Sequence, residues 1–288
     1  MYGTASTATN WLLVEQPGPW GWDAIIQSRL SRVAARALRA MVRDLAIRVV
    51  LLRRPGRSAR PQGRHCYLIH SGPDDPWIEH AVLKSMDELL GVDTAALSAG
   101  RPTGLGDVET DPLVLVCTNG ARDPCCAERG RPLAAALEKE FDDRLWECSH
   151  IGGDRFAPNL VCFPHGLYFG RVSPDNAGRI AREAEAGVLD LEHYRGRSCY
   201  PFEVQAAEYF ARRAWDITGV DDLSPVRRRE VRPGEIEVEF EGRAGNYFVW
   251  VAIEPAEPPR LVTCKSTTPS RPPNYDLLAK ASPVGNRP

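Results

Sequence analysis

Leu113-Val-Leu-Val116-Cys117-Thr-Asn-Gly-Ala-Arg-Asp-Pro-Cys125-Cys126-Ala127 is the stretch whose reading decides the fold. Its four leading apolar residues predict a strand that delivers Cys117 to its end. A polar loop then brings Cys125 and Cys126 to the front of a helix expected over 131–141, where Leu133, Leu137 and Phe141 recur four apart. A second group, Cys148-Ser-His150-Ile-Gly-Gly-Asp154, closes the next apolar run, 145–148. Soft ligands gathered at strand ends point to a metal or redox centre more than to packed core.

Downstream, 160–163 and 167–172 read as a hairpin around Pro164-His-Gly166. Ser173-Pro174-Asp175 starts a helix, with serine as cap and proline at the first helical position. Upstream, strands are expected at 11–14, 47–52, 66–69 and 77–83, with a short helix at 86–90. A longer helix is expected over 23–46, where Ile26, Leu30, Val33, Ala37, Met41 and Leu45 share a face. Both halves thus read β-α-β-β-β-α without sequence identity, which is either a structural repeat or a coincidence of order. A β-α-β followed by β-β-α is the thioredoxin-like order, an α/β fold with a mixed sheet. In such folds chemistry sits at the end of the first strand beside the first helix, where Cys117, Cys125 and Cys126 fall. Pro158 stands where these folds often carry a cis-proline.

Beyond Gly196 a helix is expected over 202–214, then a small antiparallel β extension at 235–240, 247–253 and 261–264, and a frayed tail from Ser266. Three units follow: an α/β half at 1–108, a thioredoxin-like domain at 109–196, and a helix with a β meander at 197–288.

The 288 residues can bury a sizeable core, and 43% hydrophobic with 26% charged residues is ordinary for a globular chain. A net charge of −2 gives no field for nucleic acid, so the runs Arg29 to Arg43 and Arg227 to Arg229 read as solvated faces. No apolar run approaches the ~18 residues that span a bilayer, so no membrane is expected. The segment 1–10 lacks the pattern of a signal peptide, so a cytoplasmic setting is expected. In a reducing compartment eight cysteines speak for metal or catalysis rather than a disulfide framework.

The candidate ligands are Cys117, Cys125, Cys126, Cys148, His150 and Asp154. Adjacent Cys125 and Cys126 point apart on most backbones, so one of them is expected at the site. Cys148 and Cys162 lie within strands and read as small core hydrophobes. Cys66, Cys199 and Cys264 have no partner in sequence. His165 reads as a turn residue, and His65, His70, His80 and His193 fit no ligand spacing. Gly152-Gly153 either allows a tight turn or lets backbone amides approach a cofactor. Arg122 and Asp123 read as a loop ion pair or as part of the site. Glycoside hydrolysis finds no support, because Asp142-Asp143 and Asp221-Asp222 are adjacent pairs that diverge on a backbone.

Three motifs together resemble the sucrase/ferredoxin-like family: Cys117-Thr-Asn-Gly-x-Arg-Asp-x-Cys-Cys126, Ser149-His-Ile-Gly-Gly-Asp-Arg-Phe-Ala157 and Leu167-Tyr-Phe-Gly-Arg171. The likeness runs from Thr4-Ala-Ser6 to about Tyr209, through Leu52-Arg-Arg-Pro-Gly-Arg57 and Tyr194-Arg-Gly-Arg-Ser198. It implies a thioredoxin-like second half similar to [2Fe–2S] ferredoxins, with two cysteines and two histidines as ligands. These map to Cys117, Cys126 with Cys125 as the near alternative, and His150; the second histidine is replaced by Asp154. The fourth bond then comes from Asp154, Cys125 or Cys148, or no cluster binds. The resemblance implies one-electron transfer with a reductase or oxidase as redox partner. Two other readings stay open: a thiol-based redox enzyme or sensor using Cys117 with Cys125 or Cys126, and a cluster-free binding module of the same fold.

Overall fold

The computed structural model describes residues 1–56 and 63–283. Arg57, the last residue of the segment Leu52-Arg-Arg-Pro-Gly-Arg57, and residues 284–288 lie outside it. The first half contains β1 (Asn10–Glu15), α1 (Arg32–Leu45), β2 (Arg48–Arg53), β3 (Arg64–His70), β4 (Trp77–Leu83), α2 (Thr94–Ser98) and β5 (Asp107–Glu109). The second contains β6 (Leu113–Cys117), α3 (Pro124–Phe141), β7 (Leu145–Cys148), β8 (Asn159–Phe163), β9 (Leu167–Gly170), α4 (Pro174–Glu185) and β10 (Tyr194–Arg197). Then come α5 (Phe202–Trp215), β11 (Leu223–Arg232), β12 (Glu235–Gly242), β13 (Gly245–Pro255) and β14 (Pro273–Ala281).

Ten strands form one mixed sheet in the order β10-β9-β8-β6-β7-β2-β1-β3-β4-β5. In the first half β1 pairs parallel with β2 and antiparallel with β3, which pairs antiparallel with β4. In the second half β6, β7, β8 and β9 repeat that pattern. The shared order is therefore a repeat of topology. The halves join through a short antiparallel contact of β2 with β7, Leu52 opposite Cys148 and Arg53 opposite Glu147.

Strand parity explains why the sequence shows apolar runs rather than alternation. Leu12, Val14, Val49 and Leu51 face α1, while Val114, Val116, Leu160 and Cys162 face α3 and α4. The alternate residues Trp11, Leu13, Val50, Leu52, Leu113, Leu115, Trp146, Val161 and Phe163 meet in a core shared by both halves. Buried on both faces, each strand reads as continuously hydrophobic. Trp11 and Phe163 have ring centroids 5.0 Å apart although three strands separate β1 from β8 in the sheet. Four strand spacings on a flat sheet would be roughly 19 Å, so the sheet folds its helix-free faces against each other. Cys117 and Cys148 belong to this inner core by parity.

Several expectations are corrected. The helix expected from 23 begins at Arg32, because Ser31 caps it by accepting the Ala34 amide at 3.1 Å. Residues before it are held in a turn, with the Gln27 amide donating to the Asp23 carbonyl. Conversely, α3 begins at Pro124, ahead of the expected 131, because Asp123 caps it and Pro124 fits the first turn. The expected helix at 86–90 is a 3-10 turn, Met86–Gly91, followed by α2. The tail is not frayed from Ser266: Tyr275 pairs with Ile253 and is buried, which fixes β14 as an edge strand. The strand expected at 261–264 is a loop, and β11 completes a four-stranded antiparallel sheet β11-β12-β13-β14. Arg227, Arg228 and Arg229 lie on β11 and pair with Glu239, Glu203 and Glu237. That sheet packs on α5 through Val204, Ala207 and Ala211 against Val238, Phe240 and Val249.

Candidate metal centre

The parallel register of β6 and β7 places Cys117 directly beside Cys148. Both side chains point into the inner core and both are buried. The Asn119 carbonyl turns the following loop by accepting the Arg122 and Asp123 amides. Asp123 Oδ1 accepts the Cys125 amide at 3.0 Å, which starts α3 and fixes the angle between the two adjacent cysteines. Cys126 turns inward and is 1% exposed. Gly130 follows one turn later, where a Cβ would meet the Cys117 carbonyl oxygen at 2.2 Å, so glycine is what lets α3 lie against the end of β6.

The thiols of Cys117 and Cys126 and a ring nitrogen of His150 lie within 4.8 Å of one another. Asp154 closes the group from the other side. Its Oδ1 accepts from Cys126 Sγ at 3.9 Å and sits 3.2 Å from His150 Nδ1. Hydrogen bonds from the Cys126 and Cys148 thiols, with His150 adding to them, hold the Cys117 thiol well below its ordinary range despite burial. Donation to Cys117, together with burial, pushes Cys126 up. Burial, then donation to Cys117, does the same for Cys148. Burial pushes the Asp154 carboxyl up, against His150, which pulls it down. One thiolate supported by two thiols and an imidazole is a set of soft donors ready for a thiophilic metal.

Gly152 and Gly153 have φ of 91° and 81° and carry the chain from His150 to Asp154. Their carbonyls accept Arg195 Nη1 at 3.2 Å and Asn159 Nδ2 at 3.0 Å. A Cβ at position 153 would lie 2.1 Å from Arg195 Nη2. The pair therefore makes a turn clamped from β10 and β8. The Ala157–Pro158 peptide is cis. Behind Cys117, Arg53 Nε and the Thr118 hydroxyl both donate to Glu147 Oε2, at 2.7 and 2.8 Å, a lock between the halves.

Cys125 is placed elsewhere. It forms a disulfide with Cys264, Cα–Cα 6.6 Å, which corrects both the expectation that Cys264 lacks a partner and the candidacy of Cys125 as a ligand beside Cys117. The reason is rotational: successive residues on a helix point about 100° apart, so α3 cannot turn both sulfurs inward. Asp123 Oδ2 accepts the Cys264 amide at 2.8 Å and Lys265 Nζ donates to the Ala121 carbonyl, so the loop before β14 is tied over the cysteine loop. Asp123 is thus a cap and a tether, while Arg122 stacks on Trp22; the two form no ion pair with each other. Thiol titration of denatured, unreduced protein is expected to count six thiols, and eight after reduction. Eight before reduction would refute the bridge.

The sequence had no signal for one further group. His65 on β3 and His80 on β4 stack, with Nδ1 and Nε2 2.9 Å apart, and Glu109 on β5 lies 3.2 Å from His80 Nδ1. Cross-strand register, not sequence spacing, brings them together. Burial, then Arg54 and His80, lowers the His65 pKa to about 4. An unfolded histidine takes up its proton near 6.5. Between those values the unfolded chain binds more protons than the fold, so this contribution to stability is full above pH 6.5 and is lost as pH falls toward 4. Urea midpoints should fall across that window, and less so in His65→Gln; equal slopes would contradict the assignment. His165 remains a turn residue, its Nδ1 meeting Arg197 Nη2 at 3.2 Å.

Comparison with known proteins agrees with the family motifs. The chain is 35% identical over 102 residues to altered inheritance of mitochondria protein 32 of Meyerozyma guilliermondii, covering 30% of this chain and 35% of that protein. It is 33% identical over 96 residues to the protein of the same name from Saccharomyces cerevisiae strain YJM789, covering 28% and 31%. The chain thus spans about a third of the length of the curated relatives it matches. Among solved structures, a cysteine-to-serine variant of the thioredoxin-like [2Fe–2S] ferredoxin from Aquifex aeolicus aligns with 19% identity and a TM-score of 0.26, covering 29% of this chain and 97% of that one. The Sucrase/ferredoxin-like family model matches residues 1–196, the span that holds both halves and every candidate ligand. On that match the chain belongs to the sucrase/ferredoxin-like family.

Proposed function

We propose that the chain is a one-electron-transfer protein whose halves are both thioredoxin-like and whose second half holds a [2Fe–2S] cluster. The observation that carries the reading is the convergence of Cys117, Cys126 and His150 within 4.8 Å at the mouth of the inner core. The donors suit the group: two buried sulfurs and an imidazole, with Cys148 and Asp154 each adjacent as a fourth. When bound, such a cluster supplies a one-electron couple whose potential rises as imidazole replaces thiolate. Cys117 and Cys126 would hold it from β6 and α3, and the clamped Gly152-Gly153 turn would orient His150 and offer backbone amides. The His150 side chain is 20% exposed whereas Cys117 and Cys126 are 1% exposed, so His150 is the edge through which a partner reductase or oxidase would exchange electrons. We propose a cytoplasmic setting, in which the six free thiols stay reduced and the Cys125–Cys264 bridge is an exception to the rarity of cytosolic disulfides. No helix among the described residues is long and apolar enough to cross a membrane.

The test is anaerobic reconstitution followed by iron and sulfide analysis and electron paramagnetic resonance of the reduced protein. About two irons and two sulfides per chain are expected for this cluster type. Protein that stays iron-free, or that takes up one zinc and no iron, sinks the reading. A second reading rests on the lowered Cys117 pKa, which favours a reactive thiolate paired with Cys126. It requires a Cys117–Cys126 disulfide in mildly oxidised protein, which peptide mapping would detect.

A further inference from the structure

Beside the metal centre three guanidinium groups surround one phenyl ring. The Cζ atoms of Arg155, Arg195 and Arg171 lie 4.5, 5.1 and 5.8 Å from the centroid of Phe156. Among the described residues none of the three is ion-paired with a carboxylate. Arg195 is fully buried, and its partners are the neutral Thr4, Gly152 and Asn159. Arg155 Nε is buried and has no hydrogen-bond partner among the described residues. The nearest acid, Asp154, is engaged with His150 and Cys126. Arg155 is half-buried and Arg171 exposed, but Arg195 is a buried charge with no carboxylate beside it, which an anion would offset.

A cavity of about 280 Å³ opens at this point. Arg155, Arg195, Gly153, Phe156, Phe202 and Tyr275 are among its lining residues. Its volume lies near the lower end of small-molecule sites, and its walls combine apolar rings with a few polar groups, as such sites do. Arg195 spends its donors on the Gly152 turn, Asn159 and Thr4, whereas no hydrogen bond among the described residues comes from the Arg155 guanidinium. A planar guanidinium suits a two-oxygen head, which carboxylate and phosphate share. We propose that this cavity binds a small organic anion, its carboxylate or phosphate head on Arg155 and its apolar body against Phe156, Phe202 and Tyr275. The site does not depend on the metal centre being loaded, so it is tested on metal-free and reconstituted full-length protein alike.

The measurement is isothermal titration with benzoate, phenyl phosphate and inorganic phosphate at fixed ionic strength, with sodium chloride as control. Saturable one-to-one binding is expected for at least one aryl anion, and comparing benzoate with phenyl phosphate tells which head the site takes. Arg155→Gln should weaken it by roughly tenfold or more, as loss of a charge-assisted pair implies. Phe202→Ala, at an exposed helix start, should weaken the aryl anion severalfold and leave inorganic phosphate unchanged. If Arg155→Gln fails to fold, Phe202→Ala decides the matter by that same contrast. Heats no larger than those of chloride, or binding that neither substitution weakens, overturn the proposal.

Discussion

Cys117→Ser is expected to reduce the iron retained after anaerobic reconstitution from about two atoms per chain by at least roughly tenfold, the largest functional loss of any single change in this chain. Every other candidate donor refers to this sulfur: Cys126 and Cys148 donate to it and His150 stands beside it. Serine nearly matches the volume of cysteine but offers a hard, weakly acidic oxygen, which is a poor ligand for a thiophilic metal. Burying its hydroxyl costs about 1–3 kcal/mol if unpaired, and the neighbouring thiols and imidazole can pair it, so the circular dichroism spectrum should be preserved while iron is lost. The same assay on Cys148→Ala and Asp154→Ala identifies the fourth donor, since one of the two should lose iron and the other retain it. Full iron in Cys117→Ser would move the centre away from this strand end.

How far the sequence disclosed these features varies by element. Leu113 to Cys126 was legible in part: helical rotation says that adjacent Cys125 and Cys126 cannot both face Cys117, while the choice of Cys126 over Cys125 rested on the spacing of the resembling family's motif. The repeat was visible only as element order, since its proof is pairing, and register between β1 and β3 or between β6 and β8 leaves no mark in composition. Cys148 reads as core from its run Leu145-Trp-Glu-Cys148, and it is core; that it also touches Cys117 follows from the parallel register alone. The Cys125–Cys264 bridge spans 139 residues and depends on how the C-terminal loop docks. The tail misled because Pro, Ser and Thr dominate it, yet Tyr275 alone supplies a large buried anchor for β14. Tyr194-Arg-Gly-Arg197 was legible only as a family likeness, and two arginines in four residues carry no mark of burial. Yet alternate residues of β10 place both guanidiniums in the interior, where Arg195 clamps the Gly152 turn and Arg197 holds the Gly72 carbonyl at 3.1 Å.

Arg212→Ala is expected to cost about 3–5 kcal/mol of unfolding free energy, the penalty typical of removing one member of a buried pair. Arg212 and Glu208 are each 1% exposed and are one helical turn apart on α5, with Nε and Nη2 of the arginine at 3.1 and 3.0 Å from Glu208 Oε1. The guanidinium also donates to the carbonyls of Gly219 at 2.6 Å and Val220 at 2.8 Å, the turn that feeds β11. Glu208 in turn accepts from Tyr194 Oη at 3.0 Å on β10. The pair therefore ties the ten-stranded sheet to the C-terminal one through α5. Truncating the arginine leaves the Glu208 carboxylate in the interior with Tyr194 as its remaining donor, and it takes one donor from each of the carbonyls of Ile217, Gly219, Val220 and Leu223. Its loss should exceed that of Arg212→Met combined with Glu208→Leu, because the double change removes both charges and refills the volume. Urea denaturation of the two variants against the parent checks the order. A single variant within about 1 kcal/mol of the parent would show that water reaches the pair, and a double variant worse than the single one would show that the Tyr194–Glu208 hydrogen bond, lost only in the double change, outweighs the cost of the unpaired carboxylate.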